Sequence, residues 1–278
     1  AMEEQIAELA AKLAVVEVKS NVTNTMFAET FYYITIPLMI LIHVGFLGYE
    51  MGASRTKNVL TSGVKNILAF AFVIPTFYFF GWWVYWGFPT GLDLSEGPAG
   101  ISGAAYANAI AWGWGESAQY MGPNISDQAS GVFFGAFALF AATTASIMSG
   151  AVIERIQTVG FVILAVVLGS FAWVLAAAWG WHADGWLVTK FGVHDFGTMG
   201  LVHAIAGDAP TITLIGQIVG ALMFGLLGLV PGYICSWILN QMGMLRTPEA
   251  AKILGLDPTK VPAQGYPEGI PASALPAK

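Results

Sequence analysis

Val159–Trp179 reads VGFVILAVVLGSFAWVLAAAW, 21 residues without an ionisable side chain. A helix needs about 20 apolar residues to cross a bilayer core of roughly 30 Å. A helix on the surface of a soluble domain would carry a polar stripe, and this run has none. Similar runs lie on either side of it, at Phe31–Tyr49, Ile67–Phe88, Gly131–Ile153 and Ile212–Leu239. A shorter apolar piece, Phe196–Gly207, falls between the fourth and the last. The composition agrees: 56% of residues are hydrophobic and 10% charged, against about 25% charged in soluble domains, and the mean hydropathy is +0.67. The fold class predicted is an all-α polytopic membrane protein.

The same counts exclude other classes. A formal net charge of −6 argues against a nucleic-acid partner, which needs clustered Lys and Arg. A single cysteine, Cys235, excludes internal disulfides and a Cys-based zinc site. No phosphate-binding loop, dinucleotide fingerprint, nucleophile elbow or metal-spaced cluster of His and acids is present. We therefore expect neither an enzyme nor a bound cofactor. A haem would have to pair His43 with His203, and no cofactor motif accompanies them.

The connections set an orientation. Met51–Asn66 carries Arg55, Lys57 and Lys65 without an acid, whereas Pro89–Ser130 has Asp93, Glu96, Glu116 and Asp127 without a base. The turn after the third span bears Arg155, and the tail beyond Asn240 holds Arg246, Lys252, Lys260 and Lys278. Positive charge collects on the cytoplasmic side, so the N-terminus is expected outside and the C-terminus inside, in the plasma membrane. Residues 1–24 form an extracytoplasmic amphipathic helix in this reading, with Ile6, Leu9, Leu13 and Val16 on one stripe. Residues 25–239 form the transmembrane domain and 240–278 the cytoplasmic tail. Phe196–Gly207 is too short to span, and counting it as a span would place the basic tail outside. A segment missing between 203 and 211 with an odd number of spans repairs the parity; so does a half-helix dipping in from outside.

Polar side chains within a membrane are costly and mark candidate sites. His203 lies eight residues after Asp195, a little over two turns, on the same helical face. Trp181 and Trp186 flank the outer mouth, where a Trp face can hold a small cation. Phe133, Phe134, Phe137 and Phe140 crowd one half of the third span, and rings lining a path would stop hydrated ions. Thr143, Thr144 and Ser146 follow at mid-depth, suited to bonding between helices.

Four stretches resemble the ammonium transporter / Rhesus protein family, in its ammonium transporter branch. They are Gly45-Phe-Leu-Gly-Tyr-Glu-Met-Gly52 with Lys57-Asn-Val-Leu60, Ser149-Gly-Ala-Val-Ile-Glu-Arg-Ile156, Asp195-Phe-Gly-Thr-Met-Gly-Leu-Val-His203, and Gly243-Met-Leu-Arg246 with Gly255-Leu-Asp257. The resemblance implies an eleven-span helix bundle of which this chain carries the first five spans and the last. It also implies a homotrimer that moves ammonium or ammonia, and a PII-type regulatory protein at the cytoplasmic face. Residue by residue, it places substrate recruitment at Trp181, Asp195 and Phe137, a gate at Phe140, and the pore at His203 and Thr144. The second recruitment Phe falls on Ala136, with Phe137 beside it, and the His-Gly-Glu of the family's tail is replaced by Gly265-Tyr-Pro-Glu268. An alternative is an ammonium sensor, or a non-conducting scaffold subunit of a larger complex.

Overall fold

The computed structural model describes residues 2–92, 128–182, 185–194 and 213–261, with 263 and 265. Helix α1 runs Met2–Ala53 without a break at the 24/25 boundary drawn from the sequence. Its 52 residues extend about 78 Å at 1.5 Å per residue, more than twice a bilayer core, and Leu9, Leu13 and Val16 are exposed on it. Helix α2 spans Thr56–Gly87, α3 Gln128–Ala151, α4 Thr158–Gly180, α5 Trp186–Phe191 and α6 Leu214–Gln241. Two short helices, α7 (Glu249–Leu254) and α8 (Leu256–Lys260), lie in the tail. Among the described residues five helices are long and apolar enough to cross a membrane, and each overlaps one of the five runs read from the sequence. The protein is a multi-pass helical membrane protein.

Helix α3 is the hub, packing on α1, α2 and α4, while α6 lies against α4 and α5. Its buried positions include Ala136, Ala138, Ala141, Ala142 and Ala145. Small side chains let backbones approach where lipid supplies no hydrophobic drive between helices. Hydrogen bonds knit the same interface. His43 on α1 has Thr143 Oγ1 at 3.1 Å from Nε2 and Ser146 Oγ at 3.1 Å from Nδ1, so both ring nitrogens are engaged within the bundle. Nearer the α1–α2 turn, the buried Glu50 carboxylate accepts from Ser149 Oγ and from Asn66 Nδ2 (2.7 Å). Lys65 and Asn66, which we expected in a loop, are therefore buried helical residues; the loop between α1 and α2 is only Ser54–Arg55.

Helices α2 and α4 each contain one π-helical turn, Phe77–Gly81 and Leu168–Ala172. The two turns touch. Thr76 Oγ1 and Ser170 Oγ are 2.7 Å apart, and a Cβ on Gly169 would sit 2.9 Å from the carbonyl oxygen of Ala141. Insertion of an extra residue in a helix is rare, and where it occurs it is frequently at a functional site.

One end of the bundle gathers the α1–α2 turn, the α3–α4 turn and the end of α6. Arg55 Nε lies 2.6 Å from Glu154 Oε2 across the two turns. The tail then folds back. Asp257, 1% exposed, accepts hydrogen bonds from the backbone N–H of Leu60 (3.0 Å) and Thr61 (2.7 Å), closing the N-terminus of α2. Asn58 Oδ1 accepts from Leu256 N, and Lys57 Nζ donates to the carbonyls of Lys252 and Ile253. Gly255, at φ +107°, suits this junction because a Cβ there would be 2.7 Å from the Lys57 carbonyl oxygen. At the opposite end Thr213 caps α6, and Gln217 exchanges two hydrogen bonds with the backbone of His194. His194 and Thr213, which flank residues 195–212, thus sit at the same end.

Candidate functional site

The ring-rich half of α3 faces the C-terminal half of α4. Phe137 is 2% exposed and lies 5.1 Å from Trp173 and 5.9 Å from Trp181, centroid to centroid. Phe140 stacks on Trp173 at 6.4 Å and meets Trp181 edge-on at 5.8 Å, and the two Trp rings are 5.6 Å apart in a T. Four rings from two helices so form one box. Aromatic pairs favour such tilted and edge-to-face geometry because ring edges are positive and faces negative. Tyr85 of α2 closes the box from behind, 4.5 Å from Phe137.

A cavity of about 330 Å³ opens beside the box, between α3, α4 and α6. Trp173 and Trp181 line one wall, Phe224 and Leu227 of α6 the other, and Thr144 contributes a hydroxyl. That hydroxyl bonds back to the Phe140 carbonyl at 3.2 Å, so the wall is almost wholly apolar. Phe224 seats on Gly180, where an added Cβ would be 2.4 Å from the ring. A space of this kind excludes a hydrated ion, since little in the wall can replace its water. It offers ring faces to a small cation at the mouth, a contact of ~0.5–2 kcal/mol depending on desolvation.

The structure thus brings together Trp181, Phe137, Phe140 and Thr144, which the sequence singled out. Asp195 and His203 lie outside the described residues, as does Phe196–Gly207. Trp173 was missed by sequence reasoning. It sits eight residues before Trp181, in a run read only as a span, and the signal available was that both belong to one helical face. Among the described residues no group of His, Cys, Asp and Glu could hold a metal.

The model of the Ammonium Transporter Family matches residues 30–214, more than half of the chain. The chain belongs to this family. A relative from Caenorhabditis elegans is 29% identical over 190 residues, 65% of this chain and 31% of its own length. The ammonium transporter Amt2 of Archaeoglobus fulgidus is 28% identical over 179 residues, 61% of this chain and 34% of its own length. Ammonium transporter 1 member 1 of rice (Oryza sativa subsp. japonica) is 28% identical over 167 residues, 57% of this chain and 30% of its own length. The chain spans about a third of the length of the curated relatives it matches. The family match covers the aromatic box, the α3–α4 turn and the Asp195–His203 stretch, and ends at Leu214, the first residue of α6.

Proposed function

We propose that this chain carries the outer, recruiting half of an ammonium transport path in the plasma membrane, with the N-terminus outside and the tail inside. The observation that supports this best is the box of Phe137, Phe140, Trp173 and Trp181 at the mouth of an apolar cavity. Ammonium is drawn to the Trp181 face and its charge is supported by Asp195. It gives up its proton to water near Phe140, the proton travels separately along the polar side chains of the path, and neutral ammonia continues along Thr144 and His203. The chemistry requires such a division. Potassium has nearly the same radius, so an apolar barrier must test for a removable proton, and a retained charge is costly there.

The assembly in this reading is a homotrimer, and a PII-type regulator meets the cytoplasmic face. In this reading a segment between 203 and 211 holds the remaining pore residues, and uptake is measured on protein that includes it. Uptake of labelled methylammonium into proteoliposomes tests the reading. Trp181→Ala and Trp173→Ala should each raise the half-saturating concentration about 5- to 30-fold, corresponding to about 1–2 kcal/mol of lost cation–ring contact. His203→Ala should abolish discrimination against potassium. Unchanged half-saturation in both Trp variants, or normal uptake with full discrimination in His203→Ala, would overturn it.

A further inference from the structure

A second cavity, of about 830 Å³, lies at the other end of the bundle. Arg55, Arg155, Arg246 and Lys252 line it, with Glu154 as the lone carboxylate in its wall. Two of these cations already have partners: Arg55 is paired with Glu154, and Lys252 with Glu249. Arg155 and Arg246 are exposed and make no ion pair among the described residues. They are nevertheless held near one another by the backbone. Ile156 and Arg246 form an antiparallel bridge, Thr247 N donates to the Arg155 carbonyl (3.1 Å), and Gln157 Nε2 donates to the carbonyls of Gly243 and Arg246.

Glu154, next to this bridge, is the one described non-glycine residue at positive φ, +61°. That conformation is strained for a residue with a side chain and persists where the surroundings over-determine it. Here it turns Glu154 to Arg55 and leaves Arg155 to the cleft. Glu154 and Glu249 offset Arg55 and Lys252, so Arg155 and Arg246 leave the cleft with a net positive potential. The remaining wall is apolar, with Val152, Leu164 and Leu245 running toward the membrane-spanning part of α4.

We propose that this cleft is a binding site for a phosphate-bearing anion, held by Arg155 and Arg246 and bridging the α3–α4 turn to the tail. Arginine forks match phosphate oxygens two at a time, and chloride offers no such match. Basic pockets between spanning helices on the cytoplasmic side suit lipid phosphates; a soluble phosphate would use the same two arginines.

Two assays on the detergent-purified chain separate the sources. Native mass spectrometry counts bound dioleoylphosphatidylglycerol against dioleoylphosphatidylcholine. Thermal unfolding compares sodium phosphate with sodium chloride at equal ionic strength. In one assay or both, the double variant Arg155→Gln/Arg246→Gln should weaken binding at least tenfold, whereas Lys260→Gln, outside the cleft, should not. Phosphatidylglycerol retention alone identifies the lipid as source, and a phosphate-specific shift alone identifies a soluble ligand. In the unaltered chain, the same binding should fall steeply with added salt. No preference for either anion, or a preference that survives the double variant or high salt, overturns the proposal.

Discussion

Asp257→Ala should release the tail from the bundle. In the folded chain the carboxylate accepts from Leu60 N and Thr61 N at 3.0 and 2.7 Å and is 1% exposed. A hydrogen bond to a charged group contributes roughly 1.5–3 kcal/mol net, and an acidic cap at a helix N-terminus adds ~0.3–1 kcal/mol from the dipole. Two such bonds would give about 3–6 kcal/mol if the N–H groups stayed dry. Once the tail lifts, water reaches both, so the lower part of that range applies. A loss of about 3 kcal/mol multiplies the undocked population by about 150, at 1.4 kcal/mol per factor of ten. Limited proteolysis reads this directly, because cleavage of the tail tracks the open population when closing is fast. Cleavage between residues 246 and 261 should accelerate about a hundredfold in Asp257→Ala. Asp257→Asn should fall nearly as far, since one carboxylate oxygen becomes an N–H₂ that faces a donor. A tail that is cut at the unaltered rate in both variants refutes the capping role.

Further outcomes follow from individual contacts. Gly160→Ala places a Cβ 2.5 Å from the Met244 carbonyl oxygen; overpacking of this kind costs about 1–3 kcal/mol and should lower the thermal midpoint in detergent, with no change counting against the packing. Ser146→Ala leaves His43 Nδ1 without its hydroxyl partner and should destabilise by about 0.6–1.7 kcal/mol, the range for bonds between membrane helices, measured as steric-trap unfolding in bicelles. Glu154 has a carboxyl held below its ordinary range: burial alone would raise it, but hydrogen bonds from Asn58 and Arg55 and the Arg55 charge outweigh that. Its contribution is present above the unfolded value near pH 4.3 and is lost as pH falls through the lower folded value. Thermal midpoints measured from pH 7 to 3 should therefore fall on the acid side, and Arg55→Gln should flatten that drop.

The spans were legible because a run such as Val159–Trp179 has no other way to satisfy its surface. Phe137, Phe140 and Trp181 were legible as candidates because aromatic spacing survives in the linear sequence. Trp173 was not, since nothing local distinguishes it from other apolar residues of the span; only the crossing of α3 and α4 makes it a neighbour of Phe140. Lys65 was misplaced because a charged residue was taken to end a span. Neighbouring polar groups on α1 and α2, Glu50 and Asn66 among them, make that stretch habitable for a helix. The cleft between Arg155 and Arg246 was invisible for another reason: the two residues are far apart in sequence and are joined only by the folded-back tail.

The paired π turns at Phe77–Gly81 and Leu168–Ala172 have a consequence for register. One additional residue in a helix shifts everything beyond it by about 100° of rotation. The C-terminal segments Trp82–Gly87 and Trp173–Gly180 are thus out of phase with the N-terminal segments of their own helices, like two dials on one shaft set to different marks. Tyr85 and Trp173 lie beyond these turns, so a single regular helical wheel drawn through α2 or α4 would misplace them by that offset. The membrane-facing and box-facing surfaces of each helix can then vary independently, while the two touching turns hold the offset that relates them.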